Sequence, residues 1–152
     1  MSEHDIVIYV CRNSLAAGTS ASALARQFAH AVPGMHVAVR EVPCSGKTDV
    51  IYLLKAFEGG ARGVAIITCP LGECRLAEGN YRAQVRVRNI GRLLDEIGLG
   101  SARLILLHSA NGSQGSDVPA LIDQAVARLS GLSASPLAQP AEPVSSTRTE
   151  AK

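Results

Sequence analysis

Four short apolar runs, spaced by longer stretches of helical periodicity, organise this chain. Ile6 to Val10, His36 to Val42, Gly63 to Thr68 and Leu104 to Leu107 carry few polar residues, the pattern of strands covered on both faces. After the first run, Leu24, Phe28 and Val32 recur every four residues behind Thr19 or Ser20 as a cap, and Pro33-Gly34 ends that helix. After the second, Ser45 caps a helix with Val50, Leu53, Leu54 and Phe57 on one side, closed by Gly59-Gly60. A long helix from about Asn80 to Ile97 follows the third, with Val85, Ile90, Leu93, Leu94 and Ile97 as core positions and Gly98 as its end. A final helix spans roughly Val118 to Leu129. Strands alternating with helices predict an α/β fold: a small three-layer sandwich, a four-stranded mainly parallel sheet with helices on both faces and right-handed crossovers.

From Leu132 onward Ala, Ser, Pro and Thr dominate without periodicity, so the expected organisation is a domain over 1–132 and a disordered tail over 133–152. A chain of 152 residues, 47% of them hydrophobic, has material for one core. The net charge of +2, 3% aromatic residues and absence of tryptophan argue against a nucleic-acid surface. Nothing approaches the ~18 apolar residues of a membrane span, and the polar start Met1-Ser2-Glu3-His4-Asp5 does not read as a signal peptide. The expected location is the cytoplasm, where structural disulfides are rare.

Four cysteines then become the informative residues. Cys11, Cys44 and Cys69 each stand just past one of the first three apolar runs, one strand-helix-strand repeat apart. In a parallel sheet those positions share the carboxyl edge, where open α/β proteins place ligands, and Cys74 follows in the same turn-rich loop as Cys69. Four thiolates suit tetrahedral zinc or an iron-sulfur cluster, and their number alone does not choose between them. The four residues between Cys69 and Cys74 also separate a cysteine pair in plant-type ferredoxins, although the Cys-x2-Cys that completes that pattern is missing. Packing is the ordinary use of a single cysteine, and a thiol oxidoreductase using Cys11 is an alternative, since Cys11 to Ser14 reads Cys-x-x-Ser.

Other motifs fail on inspection. Gly46-Lys47-Thr48 looks like the end of a phosphate loop, but Glu41 stands where the motif needs glycine. A phosphatase loop on Cys11 would need arginine at position 17, which is Ala17. His108 ends the fourth run at the cysteine-bearing edge, either as a sulfur neighbour or as a satisfied strand-end histidine. Arg82, Arg86, Arg88 and Arg92 crowd the long helix, a solvated face or a docking surface for an acidic partner.

The runs Cys44-Ser45-Gly46-Lys47, Leu54-Lys55-Ala56-Phe57-Glu58-Gly59-Gly60-Ala61-Arg62-Gly63-Val64, Thr68-Cys69-Pro70-Leu71-Gly72-Glu73-Cys74 and Glu78-Gly79-Asn80-Tyr81 resemble the methyl-viologen-reducing hydrogenase delta-subunit family, and the likeness covers most of residues 5–112. The resemblance implies an electron-transfer subunit with one [2Fe-2S] cluster on Cys11, Cys44, Cys69 and Cys74. It would relay electrons between a hydrogenase or other dehydrogenase and a heterodisulfide-reductase-like flavin subunit. Asn80 and Tyr81, at the start of the helix after Cys74, either cap it and wall the cluster from water or simply serve helix entry. This chain departs from the family pattern at Ser14, usually a further cysteine, and at Arg75-Leu76, usually His-Tyr. A cation at Arg75 favours the more negative reduced cluster, so a potential above that of relatives is expected.

Overall fold

The two interior strands are built from residues that gain most by leaving water on both faces. A computed structural model of the chain describes residues 5–12, 15, 20–42, 50–68, 79–109 and 117–137. In it β1 (Ile6–Cys11) and β3 (Gly63–Thr68) are buried at every residue, as interior strands of a covered sheet must be. They are flanked by β2 (Val37–Val42) and β4 (Leu104–His108) in the order β2-β1-β3-β4, all parallel. The sheet expected from the sequence is therefore present, and it is parallel throughout.

Alternation splits the core in two. Ile6, Ile8 and Val10 face α1 (Ala21–Phe28) and α4 (Val118–Ser130), through Leu24, Phe28, Ile122, Val126 and Leu129. Val7 and Tyr9 face α2 (Val50–Glu58) and α3 (Gly79–Glu96), through Leu53, Phe57, Ile90 and Leu94. On the first face α4 comes so near the sheet that a Cβ on Gly63 would lie 2.4 Å from Leu129 Cδ2, so a larger residue there would have to displace the buried Leu129 side chain.

Helix ends follow the residues that can make them. Ser20 caps α1, its hydroxyl accepting from the Ala23 amide at 3.1 Å. Gly98 closes α3 with φ 87°, donating to Asp95 while Leu99 donates to Leu94, the paired bonds of a Schellman end. Three expectations are corrected. The first helix stops at Phe28, short of Val32; Pro33 has no N–H for the Ala29 carbonyl, which accepts the Val37 amide at the start of β2 instead. On α3 the buried line is Ala83, Ile90 and Leu94 with Val87 partly buried, at spacings of four and three, whereas Val85, Leu93 and Ile97 are exposed; Leu54 of α2 is exposed as well. The proposed cap Ser45 lies outside the described residues.

The amino ends of the strands are fastened by arginines. Arg103, 7% exposed, donates from Nε to the Leu99 carbonyl, from Nη1 to the carbonyls of Arg62 and Ser133, and from Nη2 to Ser133 Oγ. Arg62 donates to the Leu132 carbonyl, and its own amide donates to the Asp5 carbonyl. The first residues past 132 thus rest on the domain, with Ser135 buried; 138–152 lie outside the described residues.

Candidate metal centre

The order β2-β1-β3-β4 reverses direction at β1: the chain leaves β1 toward β2, then returns to the other side of β1 for β3. A crevice opens at such a switch point, beyond the carboxyl ends of the two strands, and open α/β sheets bind ligands there. Cys11 is the last residue of β1 and therefore stands at that point. It is 1% exposed and forms no disulfide.

Register places its neighbours. Cys11 pairs with Val42, Thr68 pairs with His108, and extending the Val10 to Ile67 pairing by one residue sets Thr68 beside Cys11. Alternation from Tyr9, Ile66 and Leu106 puts Cys11, Thr68 and His108 on the face shared with α2 and α3. With ~4.8 Å between strands, these side chains make a short row along the carboxyl rim.

His108 is engaged at both ring nitrogens. Nδ1 lies 2.5 Å from Thr68 Oγ1 and Nε2 lies 3.3 Å from Gln84 Nε2 on α3. A Gln84 amide nitrogen facing Nε2 suits a neutral ring that accepts there and donates from Nδ1 to Thr68. Burial holds the His108 pKa below its ordinary value, which favours this neutral form. Of the two sequence readings, the satisfied strand-end histidine is the one observed. Next along the rim, the Ser109 amide donates to the Thr68 carbonyl at 2.8 Å, and its hydroxyl donates to Asp117 Oδ1 at 2.8 Å. Arg12, after Cys11, pairs with Glu41 of β2, an exposed pair of small energetic weight.

Of the four cysteines, Cys11 is described and Cys44, Cys69 and Cys74 lie outside the described residues, as do Ser14 and Arg75. Cys69 is the next residue after Thr68, and Cys44 is two after Val42. Among the described residues no group of three or more His, Cys, Asp or Glu is gathered to hold a metal ion. The donor chemistry of the chain nonetheless fits a soft metal, since thiolates are the ligands zinc and iron-sulfur clusters take. Burial of Cys11 counts against a nucleophilic thiol, which has to meet its substrate. The linear pattern singles out neither Thr68 nor Gln84. The pairing of β3 with β4 reveals the first, and the buried line of α3 the second.

The outer face of α3 is basic and apolar together. Arg82, Arg88 and Arg92 are exposed beside Val85 and Leu93, and the helix contains no lysine. The side chains of Asn80 and Tyr81 lie outside those described. No helix among the described residues is long and apolar enough to cross a membrane.

Residues 6–133 match the family described as methyl-viologen-reducing hydrogenase, delta subunit. The chain is 36% identical over 101 residues to the vhu iron-sulfur subunit of F420-non-reducing hydrogenase from Methanocaldococcus jannaschii, covering 66% of this chain and 75% of that one. It is 35% identical over 115 residues to the protein of the same name from Methanococcus maripaludis, covering 76% and 83%. It is also 31% identical over 84 residues to one of the subunits of ferredoxin:CoB-CoM heterodisulfide reductase from Methanosarcina mazei, which is 54% of this chain and 11% of that much longer protein. With its parallel sheet, its cysteine at the switch point and a match over residues 6–133, the chain belongs to the methyl-viologen-reducing hydrogenase delta-subunit family.

Proposed function

We propose that this chain is an electron-transfer subunit that holds one [2Fe-2S] cluster through Cys11, Cys44, Cys69 and Cys74. The observation that carries the reading is the place of Cys11: buried, outside any disulfide, and at the end of β1 where the sheet switches direction. When bound, the cluster supplies one-electron oxidation and reduction. The chain supplies thiolates from its strand ends, a rim that keeps water from them, and surfaces for two partners.

A hydrogenase or other dehydrogenase on one side, and a heterodisulfide-reductase-like flavin subunit on the other, are the partners we assign. Relatives are named hydrogenase iron-sulfur subunits, and a stretch similar to this chain is built into a protein named for heterodisulfide reductase. The exposed α3 face of Arg82, Arg88 and Arg92, with the partly buried Arg86 one turn from Arg82, suits an acidic docking site. Charge reversal by Arg82→Glu with Arg86→Glu weakens complex formation and flattens its salt dependence; binding unchanged on both counts removes α3 as the docking face.

Anaerobic purification tests the cluster itself. A brown protein, absorbing in the visible and paramagnetic when reduced, with equal iron and sulfide, is expected. A colourless protein holding zinc would make the chain a structural or regulatory module instead. Retention of all metal in Cys11→Ser together with loss of activity would favour a thiol oxidoreductase.

A further inference from the structure

The segment between Thr68 and Gly79 carries Cys69 and Cys74, two of the four proposed ligands. Its two anchoring elements are both described: β3, which ends at Thr68, and α3, which begins at Gly79. A single side chain from a third element touches both. His108, at the end of β4, meets Thr68 Oγ1 at 2.5 Å through Nδ1 and Gln84 Nε2, in the second turn of α3, at 3.3 Å through Nε2.

We infer that His108 is a positioning residue, a strut whose bonds to Thr68 and Gln84 hold the two ends of the Cys69 to Cys74 segment at the separation the cluster requires. The inference rests on the cluster reading above, and it assigns to His108 no ligand role. Both ring nitrogens are committed, so the imidazole acts through Thr68 and Gln84 rather than on sulfur. The strut also lies in the same rim row as Cys11, two strands away, on the face shared with α2 and α3. Burial keeps the ring neutral, with one nitrogen donating and the other accepting, as a bridge between a hydroxyl and an amide demands. The hydroxyl of Thr68 is what a strand-end valine would lack, and Gln84 is the polar residue on the sheet-facing side of α3 next to Ala83 and Val87.

Outer-shell partners of metal ligands commonly change metal retention by roughly 10-fold or more when removed. The test compares iron release to a chelator, the midpoint potential and the electron paramagnetic spectrum in wild type, Thr68→Val, Gln84→Leu, His108→Leu and His108→Gln. In Thr68→Val, Gln84→Leu and His108→Leu, iron release is expected to quicken roughly 10-fold and the potential to rise as water reaches the cluster. His108→Gln, which can still bridge, should recover much of both. Combining Thr68→Val with His108→Leu should add little to His108→Leu alone, because the histidine variant already lacks the bond to Thr68. If Thr68→Val and Gln84→Leu bind iron with unchanged release, potential and spectrum, the strut is overturned while the cluster reading stands. A wild type that holds no iron overturns the cluster reading and the strut with it.

Discussion

The two rims of the sheet use their polar residues differently. At the amino rim Arg103, Arg62 and Asp5 are tied to backbone: Arg103 reaches three carbonyls, Arg62 reaches Leu132, and the Asp5 carboxylate accepts the His36 amide at 2.9 Å. At the carboxyl rim lies the row Cys11, Thr68, His108, where Thr68 and His108 are joined side chain to side chain, and it borders the chain segments that hold the other three cysteines. The amino rim's groups are consumed in closing the fold. The carboxyl rim's groups are tied to one another instead, beside the buried Cys11. A polar residue in this domain is therefore read by which end of a strand it occupies.

Stability should respond most at the amino rim. Arg103→Leu leaves the carbonyls of Leu99, Arg62 and Ser133 without their donor and should cost about 3 kcal/mol, measured by urea unfolding, with iron per folded chain unchanged. Arg103→Lys should recover only part of it, since one ammonium cannot span the same fan of acceptors. Loss of iron in proportion to stability would erase the distinction between the rims.

The carboxyl rim should respond in chemistry. Arg75→His removes a positive charge next to Cys74 and should lower the midpoint potential by on the order of tens of millivolts. An upward shift would contradict this electrostatic account.

The smallest effect concerns pH. His108 has its folded pKa below the unfolded value, so the unfolded chain binds the extra proton as pH falls below about 7, and stability declines there until the folded ring also protonates. His108→Gln should show a shallower decline over that window in unfolding experiments. The difference is modest because the ring is only partly buried. A steeper decline in the variant would reverse the assigned sign.

The strands are legible from sequence because burial on both faces leaves a run with no alternation to misread, as in Gly63–Thr68. The long helix is legible in extent and misleading in orientation. Apolar residues lie on two sides of it: Ile90 and Leu94 are buried as expected, and the rest of their side is Ala83 and Gly91, small residues that carry little hydropathy signal. Val85, Leu93 and Ile97 outweigh them in any count of apolar positions and yet face outward. Arg103 gives no warning either, since a charged residue before an apolar run reads as a solvated strand end until Ser133 is seen to cover it. At the candidate site, spacing places Cys11 correctly at a strand end, whereas the tie between Thr68 and His108 arises from register between β3 and β4, which a linear pattern does not encode.

Iron per polypeptide across Cys11→Ser, Cys44→Ser, Cys69→Ser and Cys74→Ser, prepared anaerobically beside Arg103→Leu, tests the central claim most directly. The account predicts that each serine variant loses most of its iron and visible absorption while Arg103→Leu keeps both. Full iron retained by any one of the four serine variants would show that its cysteine is not a ligand and would contradict the four-thiolate centre.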